Sequence, residues 1–136
     1  MHTSFYTGLP NLRAMNEMDI HCGRALAVAV SVIDWLEFRG SEREALANAK
    51  ADVLREAHLD VYHDEHTFSR FLYRGDSVEK LRAKLEDARE MLRNRRVEVS
   101  SYYDGYPHIV AGVDFSYGIG KDMSEAEAAE RLNRSR

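Results

Sequence analysis

One apolar run near the start of the chain restricts its fold more than any other feature. The nine residues from Ala25 to Ile33 carry no charge and are rich in valine. This composition is typical of a strand that is buried on both faces, so we expect it at the centre of a sheet. Asp34 follows, where the strand should leave the core. Such a cleft edge is the usual place for ligand or metal chemistry.

Composition and charge limit the class of protein. The chain has 136 residues and a formal net charge of −4, which predicts one globular domain over residues 1–136 and argues against a nucleic-acid or anionic-membrane surface. A single cysteine excludes an intrachain disulfide. No apolar stretch reaches the roughly 18 residues that span a bilayer. No basic-then-apolar leader is present either, so we expect a cytoplasmic protein.

Apolar spacing and turn residues predict the other elements. They are a short helix from Pro10, a helix capped by Ser41 that ends near residue 57, a hairpin over 59–73 with a charged tip, a helix capped by Asp76, strands over 97–103 and 109–119, and a last helix capped by Ser124. This order predicts an α+β domain in which helices pack on a single-layer mixed sheet.

Three motifs, in order along the chain, resemble those of a known family. Residues 7–13 read TGLPNLR, residues 34–39 read DWLEFR and residues 113–119 read VDFSYGI. They resemble the L-T-G-L-P-N-R, D-x-D-x-F-K and V-T-x-S-x-G-[IV] motifs of GGDEF domains, the bacterial diguanylate cyclase family. The resemblance implies a nucleotidyl-cyclase palm with a ferredoxin-like core, and a link to cyclic di-GMP.

The family's G-G-[DE]-E-F loop lies on a hairpin tip, where the glycines admit GTP phosphates and the acidic pair holds Mg²⁺ with the central-strand Asp. Two alignments are open here: residues 74–78, favoured by the distance from Asp34, or residues 64–68, favoured by the need for a hairpin. We choose the second. The resemblance then implies a degenerate nucleotide site formed by Asp34, Phe38, Asp64, Glu65, His66 and Thr67, with Asp34 and His66 as metal ligands.

In either alignment the groups that phosphoryl transfer needs are missing. Asp64 and Glu65 stand where the family has glycines, and would meet phosphate oxygens with like charge. Thr67 stands where the family has its essential acid, and a neutral hydroxyl is a weak ligand for Mg²⁺. Leu36 replaces the second acid of the central motif. The family's basic residues beyond the last helix are expected to be absent, and its product site survives at most as residues 55–58.

We therefore hypothesise a catalytically inactive regulatory module that binds a protein partner, a nucleotide or a second copy of itself, with no required cofactor. The alternatives are a residual cyclase that uses Mg²⁺ and GTP, or a metal-dependent phosphohydrolase that uses Asp34 with the loop His63–His66. A dimer through the acidic face would bring like charges together. Self-association is expected instead through the aromatic hairpin of Tyr102, Tyr103 and Tyr106.

Overall fold

The computed structural model describes residues 2–33, 40–67, 69–100 and 107–134, which form ten elements. In chain order they are α1 (Leu12–Cys22), β1 (Ala27–Val32), α2 (Gly40–Glu56), β2 (Asp60–His63), β3 (Arg70–Gly75), α3 (Val78–Asn94), β4 (Val97–Ser100), β5 (Pro107–Val110), β6 (Ser116–Gly120) and α4 (Met123–Arg134). The predicted order is confirmed, except that the last predicted strand is two strands. Gly112 lies between them at φ +71°, a left-handed conformation that glycine adopts readily, so the chain turns there.

The predicted central strand lies inside a four-stranded sheet with the order β2-β3-β1-β6. Each neighbouring pair of strands is antiparallel, so the sheet is antiparallel rather than mixed as expected. The connection through α2 does make β1 and β2 run in the same direction, but β3 is inserted between them. The succession β1, α2, β2, β3, α3, β6 forms the predicted ferredoxin-like core.

Helices cover both faces of this sheet. On one face Ala27 and Ala29 of β1 are completely buried in the larger core cluster, which includes side chains of α2 and α3. On the other face Val30 packs in a second cluster with Met15 of α1 and Ala126 of α4. Successive residues of a strand point to opposite faces, and this explains why the run is apolar without interruption.

The last helix lies directly on the edge strand β6. A Cβ atom added to Gly118 would stand 2.2 Å from the backbone nitrogen of Glu130, and one added to Gly120 would stand 2.5 Å from Cβ of Glu125. Only hydrogen atoms fit at these two positions. The two glycines therefore set how closely α4 approaches the sheet.

All four helices begin one or two residues from the predicted positions: α1 begins at Leu12 rather than at Pro10, and α2 begins at Gly40, before its predicted cap Ser41. Ser77 rather than Asp76 caps α3, because its hydroxyl accepts a hydrogen bond from the backbone N–H of Lys80 at 3.2 Å. Asp122 rather than Ser124 caps α4 and accepts from the N–H of Glu125 at 2.9 Å. Each such cap is worth about 1 kcal/mol.

The strands β4 and β5 form a separate antiparallel pair. Tyr102, Tyr103 and Tyr106, the expected self-association surface, belong to the connection between these strands and lie outside the described residues. No helix in the described ranges is both long enough and apolar enough to cross a membrane.

Candidate functional site

The tip of the β2–β3 hairpin lies beside the C-terminal end of β1. Val32 of β1 is paired with Arg70 of β3, and the backbone N–H of Ile33 donates to the carbonyl of Ser69 at 3.4 Å. The segment 64–67 thus occupies a hairpin tip, as predicted. Residues 74–78 instead comprise the end of β3, a two-residue turn and the first residue of α3. Asp34 and Phe38 lie outside the described residues.

The Asp64 side chain points into the protein, and both of its carboxylate oxygens already accept hydrogen bonds. Its side chain is buried; Oδ1 accepts from the backbone N–H of His66 and Oδ2 accepts from Nη1 of Arg70, both at 3.1 Å. The same guanidinium also pairs with Glu127 of α4. A buried carboxylate needs such charge-assisted partners, and here they come from the protein itself. The Asp64 carboxylate therefore stabilises the turn at the hairpin tip through hydrogen bonds within the protein.

Glu65 holds the first residues of the chain against the tip. Its Oε2 accepts from the backbone N–H of Phe5 at 3.0 Å, and its Oε1 accepts from the Asn11 amide at 2.7 Å. The Phe5 hydrogen bond, followed by that from Asn11, lowers the pKa of the carboxyl group. Glu65 thus joins the first residues of the chain to the hairpin tip, and the two hydrogen bonds favour the ionised form of its carboxyl group.

We call residues 2–11 the N-terminal strap. Within it, Thr3 and Pro10 form an antiparallel bridge, and the carbonyl of Pro10 accepts from the N–H of His63 at 2.9 Å. The Ser4 hydroxyl lies 2.7 Å from Nδ1 of His63 in a buried contact. The strap therefore contacts the last residue of β2 and the adjoining hairpin tip.

The other described tip residues have different surroundings, and the predicted metal ligand Asp34 lies outside the described residues. Thr67 accepts from the N–H of Arg70 through Oγ1 at 3.1 Å, so its hydroxyl is part of the turn. His66 is exposed, whereas His63 is completely buried, with its ring 4.7 Å from that of Phe71. Within residues 2–33, 40–67, 69–100 and 107–134 no three His, Cys, Asp or Glu side chains could hold one metal ion.

A cleft of about 310 Å³ separates the tip from α4. Its charged walls are joined by internal ion pairs: Arg70 with Asp64 and Glu127, and Arg134 with Glu130 at 3.0 Å. Glu130 is buried and also accepts from the Ser116 hydroxyl at 2.6 Å. In the described part of this cleft the carboxylates and two of the three guanidinium groups neutralise one another, and Arg131 has no ion pair there.

Lys50 is a fully buried charge-bearing residue that was not predicted from the sequence. Its Nζ lies 4.6 Å from the ring centroid of Phe71 and 4.5 Å from that of Phe115, and it has no hydrogen-bond acceptor among the described residues. Burial holds the pKa of this amine well below its usual range, although the charges of Glu130 and Asp114 act in the opposite direction. The signal was present, because Lys50 is four residues from both Leu46 and Leu54 on the apolar side of α2.

Comparison with solved structures identifies the fold. The FimX GGDEF domain from Pseudomonas aeruginosa superposes with a TM-score of 0.74 at 17% identity, covering 100% of this chain and 96% of that chain. The GGDEF domain of DgcB from Caulobacter crescentus, in complex with c-di-GMP, gives 0.65 at 15% identity, covering 98% and 85%. The diguanylate cyclase SiaD from Pseudomonas aeruginosa, in complex with its activator SiaC, gives 0.72 at 17% identity, covering 98% of this chain and 58% of SiaD.

No protein-family model matches the sequence, and no curated protein is significantly similar to it. The likeness is therefore one of structure. It confirms the predicted GGDEF-like fold over almost the whole chain.

Proposed function

We propose that this chain, a GGDEF-like domain in fold, is a catalytically inactive, cytoplasmic regulatory module that acts in bacterial cyclic di-GMP signalling by binding a partner. One observation carries the proposal: the carboxylates of the hairpin tip, Asp64 and Glu65, are both engaged in internal contacts. The DgcB and SiaD structures, in which a GGDEF fold is bound to c-di-GMP or to an activator protein, support a binding role.

The charges of the hairpin tip disfavour phosphoryl transfer. Phosphoryl transfer needs cations or positioned donors where negative charge develops, and each lost group of this kind costs about 3–4 kcal/mol of transition-state stabilisation. The tip offers carboxylates at two positions and the neutral hydroxyl of Thr67 at a third. Phosphate oxygens approaching this tip would meet like charge and a hydroxyl that is already used by Arg70.

A residual metal-dependent phosphohydrolase is the less supported alternative. It would use Asp34 with residues of the loop His63–His66, and His63 is buried with its Nδ1 2.7 Å from the Ser4 hydroxyl, whereas His66 is exposed. The remaining candidate ligands are Asp34, outside the described residues, and the exposed His66.

The test is a product assay on the purified full chain with GTP and either Mg²⁺ or Mn²⁺, run beside an active diguanylate cyclase. We expect no cyclic di-GMP and no GTP hydrolysis above the protein-free blank by chromatography. Product formed by the wild type but not by Asp34→Ala would contradict the proposal.

Nucleotide binding is tested separately by thermal shift with GTP and with cyclic di-GMP. A ligand at 100 times its dissociation constant stabilises by about 2.7 kcal/mol, which such an assay detects readily. We expect no stabilisation by GTP with Mg²⁺, because the carboxylates and two of the three guanidinium groups of the cleft walls are already paired. Stabilisation by GTP that is lost in Arg131→Ala would show that the cleft still accepts phosphates.

A further inference from the structure

The strand β6 is an edge of the sheet within the described part of the chain. Its neighbour on one side is β1, and no described strand pairs with its other side. Five residues at about 3.4 Å each give an edge roughly 17 Å long. A groove of about 640 Å³ runs along this edge, between α3 and α4.

The register identifies which backbone groups face the groove. The bond from Ile33 to Ser69 shows that odd-numbered residues of β1 hydrogen-bond to β3, so even-numbered ones hydrogen-bond to β6. Their partners on β6 are Ser116, Gly118 and Gly120. The backbone groups of Tyr117 and Ile119 therefore point outward.

A side-chain contact agrees with this assignment. The amide of Asn133 on α4 donates to the carbonyl of Tyr117 at 2.8 Å, which requires that carbonyl to face the groove. The backbone N–H and C=O groups of Ile119 have no such partner among the described residues. An unpaired N–H and C=O at a sheet edge are the groups to which an added strand bonds.

The groove walls carry an unbalanced positive charge. The groove wall on the α3 side has two acidic residues, Asp114 and Glu86. Both form salt bridges with Arg89, at 2.8 Å and 3.0 Å respectively. Arg82 is exposed and forms no salt bridge within the described residues. The groove lining has three arginines, Arg82, Arg89 and Arg134, against the two acids, a formal charge of +1, and Arg82 is the arginine that no ion pair holds among the described residues.

From these observations we infer that the β6 edge binds an extended, acidic segment of a partner polypeptide, which adds to the sheet as a strand. Backbone groups of Ile119 supply the pairing, and Arg82 selects acidic side chains. The half-buried side chains of Tyr117 and Ile119 give the partner an apolar contact on the same face. The inference rests on the proposed function only in so far as that function requires a polypeptide partner.

The test uses a defined probe, a fluorescein-labelled peptide of about seven residues in which glutamate alternates with valine. Its anisotropy is measured with the full chain, beside a peptide with lysine at the glutamate positions and one with proline at the valine positions. We expect saturable binding of the acidic peptide and at least tenfold weaker binding of the other two.

The decisive variant is Ile119→Pro, with Ile119→Val as its control. Proline removes the outward N–H and leaves the inward bonds to β1 in place, so it is tolerated at an edge. We expect Ile119→Pro to weaken peptide binding at least tenfold and Ile119→Val to leave it within twofold, with circular dichroism confirming that both fold. If Ile119→Pro does not fold, Arg82→Glu serves: it should reverse the preference between the acidic and basic peptides.

Three outcomes would overturn the inference. They are no binding of the acidic peptide by a folded wild type, equal affinity for the acidic and basic peptides, or a concentration-dependent dimer that Ile119→Pro abolishes, which would assign the edge to a second copy of the chain. None of these depends on the cyclase assay, so the failure of this inference can be told apart from the failure of the proposed function.

Discussion

Replacement of Lys50 by methionine should make the protein more stable. The amine is fully buried between the rings of Phe71 and Phe115 and has no hydrogen-bond acceptor among the described residues. Replacing buried ionic groups by apolar side chains of similar volume is often neutral or stabilising, by about 1–4 kcal/mol. Methionine keeps the unbranched stem that packs against the rings. For a domain of this size the gain corresponds to roughly 4 °C in Tm for each kcal/mol.

The same residue predicts how stability depends on pH. Its pKa is lowered in the folded state, so the unfolded chain binds more protons and the free energy of unfolding rises as pH rises toward the ordinary lysine pKa of 10.5. This rise should appear in the wild type as pH approaches 10.5 from below and be smaller in Lys50→Met, so the stability difference between the two proteins should shrink as pH rises.

Urea unfolding at several pH values measures both effects. Lys80→Met, which removes an exposed lysine from α3, is the matched control and should change stability by less than about 0.5 kcal/mol. A Lys50→Met protein that is less stable than the wild type would refute the reasoning, because it would show that the ammonium has an effective partner. If Lys50→Met raises the free energy of unfolding by the same amount at every pH, the predicted titration of the buried amine is wrong.

Three other substitutions test separate parts of the structure. Glu65→Gln should loosen the N-terminal strap, seen as faster hydrogen exchange at residues 2–11 with unchanged exchange in α3; unchanged protection of the strap would disprove the tie. Gly118→Ala should destabilise by about 1–3 kcal/mol or more in urea, because its Cβ would overlap the backbone of α4, whereas Gly23→Ala, with open space at its Cβ, is the control for strain alone. Light scattering should show a wild-type dimer that the double substitution Tyr103→Asp with Tyr106→Asp disrupts; a wild-type monomer would exclude that surface.

The sequence was sufficient to predict the central strand, the hairpin and the order of elements, because apolar periodicity and turn residues act locally. It was not sufficient to predict that β3 would be inserted between β1 and β2, since periodicity does not say which strands become neighbours. The hairpin tip was found, but not the contacts of Glu65 with Phe5 and Asn11, which lie more than fifty residues away in the chain.

The N-terminal strap also has a mechanical consequence. It is joined to the hairpin at two places, through the bond from His63 to Pro10 at the end of β2 and through Glu65 at the tip. Both bonds resist a force that pulls the first residues away from the hairpin. The force therefore acts on the turn that contains His66 and Thr67. A force applied to the strap is therefore delivered to the tip end of the hairpin, while Leu9 of the strap stays packed in the larger core cluster.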